Sequence, residues 1–456
     1  MSNEQLLSVL KLLASAIKKQ VNEGISNHNI EPQEEVYFRW KVEKFQYTDK
    51  GVTDYSARGE YFTKRLWLRS IIKLEEVIKQ STEYTSALEW LANVFGKSNR
   101  LSDNLDYFIT TLIHQCLENP TIKEADVNSL IETFLKDLRE EPVKYGADVE
   151  LQGIVLRPES LEMSYGITLR QTKVEDLERE VAVHGFMLGR DFLPQPSAIM
   201  RIEFLGRRAN EIQKRFRKAI AILRLFKVGS VEYISSRMFS ESIIDKMASG
   251  TLTSGKAGTA LETYLVTEED IPRLKRFWQT MNDSLPESFF WTDATPVDYL
   301  TIAYNRYSDA LLQNGLLERR IANAVMGLEA LVLTGETQEL SYRLGIRISK
   351  LLSLLGHDPH EVKKTVNDAY KVRSLFAHGS QLSYKGKKEL ESAYQDPKNL
   401  LLLILDYLRT LIIVMMLSRK GKDEFIDLVD DSLVDKKRED QLNNIISQAK
   451  DVCTVS

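Results

Sequence analysis

Only two cysteines occur in 456 residues, Cys116 and Cys453, and neither belongs to a CxxC pair. That removes a disulfide scaffold and a cysteine-based zinc site from consideration. No uninterrupted apolar run reaches the roughly 20 residues that a bilayer span needs. The most apolar stretch, 400–417, is broken by Asp406 and Arg409 and reads as a buried helix of a bundle. Residues 1–20 mix polar and apolar positions, as an amphipathic helix does and a signal peptide does not. A reducing, cytoplasmic setting with no membrane partner is the expectation. Positive charge is not in excess: 61 Lys and Arg face 65 Asp and Glu, a formal net charge of −4. Coating of nucleic acid by bulk electrostatics is therefore excluded, and any such contact needs a local basic patch. Internal repeats, low-complexity tracts, a Ser/His/Asp pattern and a lone-cysteine nucleophile signature are also missing.

What is present is an ordinary globular composition, 43% hydrophobic and 28% charged, at a length that calls for about two or three domains. Residues 1–145 read as mostly helical, starting with Leu6, Leu10, Leu13 and Ile17 at helical spacing. A short strand is expected over 36–42, then helices near 63–79, 84–95, 104–117 and 124–138. Ser102 and Thr121 look like helix-start residues, and Trp67 and Trp90 like core residues. Residues 146–290 alternate as strands do over 149–156 and 161–165, with a turn around Pro158, and again over 198–204, 231–235 and 261–266. Helices are expected over 210–226 and 268–281. This is an α+β module suited to sensing or regulation. From 295 to 456 the pattern is helical throughout. The chain is thus an α+β multidomain protein: a helical or mixed N-terminal region, a central α+β module and a C-terminal all-α bundle.

Three constellations are tested and set aside or left open. Gly250-x-x-x-x-Gly255-Lys256 approximates a phosphate-binding loop, but Ala257 stands where the magnesium-binding Ser or Thr belongs, and the flanking order is helix then strand. A Gly/Ser/Thr loop over 249–258 is the better reading. His357-x-x-His360 has no third ligand at a useful spacing, so no metal or other cofactor is expected. Between Arg201 and Lys227 lies the main basic cluster, and Arg207, Arg208, Lys214, Arg215 and Lys218 are its candidate RNA-binding residues. The competing reading is a solvated helix face with Phe216, Ile220 and Leu223 behind it. The lack of interleaved aromatics favours that one.

The informative stretch is Tyr370-Lys-Val-Arg-Ser-Leu-Phe-Ala-His-Gly379. Asp358 as N-cap, Pro359 at the first helical position and Glu361 two residues on predict a helix start, and Gly379 predicts its end. On that helix Val362, Val366, Ala369 and Phe376 form an apolar stripe, and Arg373 falls inside it. An inward guanidinium needs a carboxylate partner, for which Glu329 and Glu339 are candidates, or a polar cleft. His378 lies nearly opposite Arg373 at the dipole-negative end, where a histidine suits general acid/base work. An arginine fork matches phosphate oxygens. Together, without a metal-ligand cluster, the pair suggests phosphodiester cleavage using the 2′-hydroxyl of RNA as internal nucleophile.

Arg373-x-x-x-x-His378 resembles the R-x(4–6)-H motif of HEPN domains. With Ala324-Val-Met-Gly-Leu-Glu-Ala-Leu331, Glu339-Leu-Ser-Tyr-Arg-Leu-Gly-Ile-Arg347 and Tyr370-x-x-Arg-Ser-x-x-x-His-Gly379, the chain resembles the ApeA-like HEPN group of bacterial proteins. The likeness covers about residues 300–420, 146–285 less distinctively and 1–145 hardly at all. It implies a HEPN-like bundle acting as a metal-independent endoribonuclease in anti-phage defence or a toxin system. It further implies a homodimer whose two HEPN domains share one cleft, and a phage or antitoxin protein as trigger. Arg373 and His378 would be catalytic, with Ser374, Glu329 and Arg343 in support. Ser374 departs from the Asn, Asp or His that often follows the arginine. A non-catalytic HEPN scaffold that binds RNA or a protein partner is the alternative.

Overall fold

The computed structural model describes residues 3–178, 180–182, 195–245, 250–253, 262–291, 298–313, 315–336, 338–380 and 382–453. Helix α1 (Asn3–Ser26) packs with α2 (Leu68–Lys79), α3 (Thr82–Phe95), α4 (Asn99–Glu118) and α5 (Glu124–Leu138) around a core of their own. Leu6, Leu10, Leu13 and Ile17 of α1 are fully buried in it, and Trp67 and Trp90 pack against its edge. Helix α4 is capped by Ser98 rather than Ser102, and α5 starts after Lys123, not at Thr121.

Between α1 and α2 the expected short strand is a long hairpin, β1 (Gln33–Thr48) with β2 (Gly51–Leu66), and helix α2 begins only at Leu68. Neither strand joins a hydrophobic core, so no one-sided apolar alternation marked them in the sequence. Cross-strand aromatic pairs hold the ribbon instead: Phe38 on Tyr61 at 5.1 Å and Tyr37 on Phe62 at 5.9 Å. Its tip is tied to the central module, where the Tyr47 hydroxyl donates to the Ser197 carbonyl (2.7 Å) and accepts the Leu156 N–H (3.1 Å).

The central module contains β3 (Val143–Gln152), β4 (Ile154–Leu156), β5 (Ser160–Ser164), β6 (Ile167–Gln171), the short α6 (Val174–Leu177), β7 (Glu180–Ala182), β8 (Ala198–Gly206), α7 (Asn210–Phe226), β9 (Glu232–Ser240), β10 (Gly250–Thr253), β11 (Tyr264–Val266) and α8 (Ile271–Ser284). Six strands form an antiparallel sheet in the order β10-β9-β3-β8-β6-β5, β11 pairs in parallel with β4, and β7 joins the hairpin. The expected pairing of 149–156 with 161–165 around Pro158 does not occur. Strand β5 turns back on β6 at Gly166, and β3 lies between β8 and β9. Gly166 (φ +75) is required there, because a side chain would run into the Glu203 carbonyl. Part of the expected 249–258 loop is strand β10; Gly255, Lys256 and Ala257 lie outside the described residues.

The C-terminal bundle runs through α9 (Tyr299–Leu312), α10 (Leu317–Val332), α11 (Leu340–Ser353), α12 (Pro359–Ala377), α13 (Tyr384–Tyr394), α14 (Pro397–Ser418), α15 (Lys422–Asp431), α16 (Lys436–Ile445) and α17 (Ser447–Cys453). Helix α14 is long and apolar enough to cross a membrane, and 83% of its apolar window is buried inside the protein.

The central module and the bundle share one hydrophobic core, although the sequence separates them near 290–295. The junction is the C-terminus of α7, where an α-helix leaves its last four carbonyls without intrahelical partners. All four are met by side chains from elsewhere. The Tyr264 hydroxyl donates to Leu223 (2.9 Å) and the Tyr307 hydroxyl to Arg224 (2.8 Å). Nη1 of Arg409 donates to Leu225 (2.8 Å) and Phe226 (3.2 Å). Asp406, one turn away on α14, neutralises Arg409 at 2.6 Å. The two residues that interrupt the apolar run thus weld the bundle to the sheet module.

Candidate active site

Helix α12 packs on α10, α11 and α14. The Asp358 carboxylate accepts the N–H groups of His360 (2.9 Å) and Glu361 (2.8 Å), and Pro359 opens the helix. The helix ends in a Schellman motif: Gly379 N–H to the Phe376 carbonyl (3.0 Å), Ser380 N–H to Leu375 (2.9 Å), with Gly379 at φ +70. Its buried stripe is Val362, Thr365, Val366, Ala369 and Val372. Phe376, expected in that stripe, is 37% exposed.

Arg373 sits at the border of the stripe, its side chain 28% exposed. Nη2 donates to Oε2 of Glu329 on α10 at 3.1 Å, and the guanidinium lies 5.7 Å from the Tyr370 ring centroid. Glu329 is therefore the partner, and Glu339 is not; Glu339 caps α11 with a left-handed backbone, φ 56. Nε of Arg373 and Oε1 of Glu329 are buried without a hydrogen-bond partner. Burial raises the Glu329 carboxyl above its ordinary value, and Arg373 draws it only part of the way back.

His378 is the C-cap residue and is exposed; among the described residues its ring meets no hydrogen-bond partner. Ser374 is half-buried, and its carbonyl accepts the His378 N–H at 3.2 Å. Five residues of helix separate Arg373 from His378 by about 140° around the axis, so one chain does not bring them together. Arg343 stands apart from Arg373: it lies 3.7 Å from Glu336. The stronger partner of Glu336 is Arg347, at 2.6 Å. Arg347 is buried and fully engaged, with Asp430 (2.8 and 2.7 Å) and the Val332 carbonyl (2.8 Å) as its further acceptors.

The basic cluster is not an open phosphate track. Arg201 pairs with Asp148 (2.9 Å), Lys214 with Glu287 (2.5 Å) and Lys227 with Asp270 (2.7 Å). Arg224 is buried against Glu232 (2.8 Å), and Lys218 donates to the Asn282 carbonyl (2.6 Å). Aromatics are in fact interleaved: Arg215 lies 4.0 Å from the Phe204 centroid, and Lys214 and Arg217 lie over Trp291. Arg207 and Arg208 remain exposed, on an open cleft shared with Arg100, Glu140, Glu141 and Glu211. His357 packs edge-on against Tyr407, His360 is exposed, and no metal-binding group of three side chains occurs among the described residues.

Sequence reasoning missed a cleft of about 780 Å³ between the start of α11 and the middle of α12, lined by Glu339, Ser341, Tyr342, Lys363, Asn367, Tyr370 and Lys371. The 363–367–370–371 spacing on one helix face was the available signal.

No family model matches the chain, and no curated protein and no solved structure matches it.

Proposed function

We propose that the C-terminal bundle is a HEPN-type, metal-independent endoribonuclease domain that acts as a homodimer. The observation that carries this reading is the state of Arg373. It makes one ion-pair bond, to Glu329, and its side chain stays 28% exposed, five residues before an exposed histidine on the same helix. Arg347, a buried structural arginine, engages its whole fork, whereas Arg373 does not. The exposed part of the Arg373 guanidinium would meet phosphate oxygens.

In the proposed reaction the 2′-hydroxyl attacks the adjacent phosphorus, forming the 2′-O–P bond. The P–O5′ bond breaks and the 5′-oxygen takes up a proton. Arg373 stabilises the charge on the equatorial oxygens, and His378 of the opposing protomer moves the proton. The products carry 2′,3′-cyclic phosphate and 5′-hydroxyl ends. The N-terminal bundle and sheet module would restrain this activity until a phage or antitoxin protein engages them.

The test is cleavage of a labelled oligoribonucleotide by the full chain. Arg373→Ala and His378→Ala are each expected to lower the rate by about 100-fold or more, with an unchanged circular dichroism spectrum. Wild-type rates in both variants overturn the catalytic roles. The Glu329–Arg373 ion pair itself favours a second reading, a non-catalytic HEPN scaffold. In that case the wild-type protein cleaves nothing, Arg373→Ala lowers Tm, and His378→Ala changes neither Tm nor RNA or partner binding.

A further inference from the structure

The cleft between α11 and α12 is flanked by two tyrosines, Tyr342 and Tyr370, and two lysines, Lys363 and Lys371. Tyr342 is 56% exposed at its mouth, and Tyr370 stands on the opposite wall. Each ring already has a cation beside it: Lys363 Nζ lies 5.3 Å from the Tyr342 centroid and the Arg373 guanidinium 5.7 Å from that of Tyr370. Lys371 stands on the rim, 3.1 Å from Asp368. Ser341 and Asn367 line the same cleft, and Asn367 accepts the Ser341 hydroxyl on Oδ1 (3.4 Å). Gly345 lets α11 approach here, since a Cβ would stand 3.2 Å from Oδ1 of Asn367.

The cleft lies on the face of α12 that carries His378. At about 100° per residue, Asn367, Lys371 and His378 share one face of α12, with Lys371 and His378 about 10 Å apart along the axis. Arg373 lies beyond Tyr370, about 120° from Asn367 around the axis, so the arginine that meets a phosphate at this face is the opposing protomer's. A strand whose scissile phosphate reaches His378 therefore has its neighbouring nucleotide over Lys371 and the two tyrosines.

We propose that this cleft is a nucleotide-binding subsite for single-stranded RNA, seating the base that flanks the scissile phosphate. The base stacks between Tyr342 and Tyr370, Asn367 and Ser341 meet its edge, and Lys363 and Lys371 hold phosphates. Glu339 at the far end repels phosphate and accepts from an exocyclic amino group. This rests on the ribonuclease reading for the position of the scissile phosphate.

The test uses the full chain and an oligoribonucleotide 2′-O-methylated throughout, which binds but lacks the attacking hydroxyl. Tyr342→Ala and Asn367→Ala are each expected to weaken its binding about tenfold. For cleavable RNA the same variants raise KM and spare kcat. Lys363→Ala lowers the slope of log affinity against log salt by about one. If the wild type cleaves RNA and both variants bind and cleave as it does, the subsite is overturned while the ribonuclease reading stands. If the wild type cleaves nothing but binds the probe through Tyr342, the subsite stands and that reading fails. If the probe does not bind at all, the subsite is overturned.

Discussion

Two helix ends in this protein have opposite fates. Helix α7 ends in the interior, with its four terminal carbonyls taken up by Tyr264, Tyr307 and Arg409. Helix α12 ends in solvent, closed by its own backbone turn, with His378 exposed and Arg373 only partly engaged. The difference separates arginines that hold the fold from the one proposed to meet a ligand. Arg409 and Arg347 each satisfy several acceptors and lie almost wholly buried. Arg373 has a single ion-pair bond, its side chain is 28% exposed, and its Nε is buried without a partner.

The largest expected effect lies at the interior end. Arg409→Ala leaves Asp406 and two carbonyls without their donor, and is expected to cost about 3–5 kcal/mol in urea unfolding. A loss under about 1 kcal/mol would show that the weld between sheet and bundle is not structural. Tyr307→Phe removes one donor from the same end and is expected to cost about 1–3 kcal/mol. Burial pushes the Tyr307 phenol up, so this bond persists through alkaline pH.

Acid should loosen the bundle at a different place. Burial pushes the Glu336 carboxyl up, but backbone N–H bonds and Arg347 outweigh it and hold the group at about 2. Lys350 and Lys436 hold Glu439 at about 2. A carboxyl held below its unfolded value stabilises the fold above that value and loses the contribution as pH falls. Thermal stability is therefore expected to drop between pH about 4.5 and about 2. Glu336→Gln together with Glu439→Gln should flatten that limb; an unchanged limb contradicts the assignment. Glu329 works in the opposite sense. Its carboxyl is raised, so its ionisation weakens the fold as pH rises through the raised value.

At the solvent end the stability effects shrink. Arg373→Ala is expected to cost about 1 kcal/mol, and His378→Ala within about 0.5 kcal/mol. Both should remove RNA cleavage. A large stability loss from Arg373→Ala with no catalytic effect would move Arg373 into the company of Arg409.

Local signals in the sequence carried α12 well. Asp358, Pro359 and Gly379 cap it where expected, because capping chemistry acts within a few residues. Helices 124–138 and 210–226 were legible from their apolar spacing, although the last two turns of the second are buried all round. The hairpin was not, because it buries no core residue and shows no apolar period. Strand partners were not either, since β3 finds β8 and β9 about fifty and ninety residues away by register rather than by any local mark. The shared core hid behind contacts such as Arg409 to Leu225, 184 residues apart. At the site, the Arg373–Glu329 pair was among the partners the sequence offered. The tyrosine cleft was not, because Tyr342 and Tyr370 meet only once α11 lies on α12.

The central claim is that one helix end supplies half a site and a second copy supplies the rest. Mixing Arg373→Ala protein with His378→Ala protein, each inactive alone, tests it directly. If the site takes arginine from one protomer and histidine from its partner, heterodimers regain one intact arginine–histidine pair of the two in the shared cleft. Cleavage should then return to roughly a quarter of the wild-type rate after subunit exchange. Exchange confirmed by tagged subunits, with no recovered cleavage, would contradict the account.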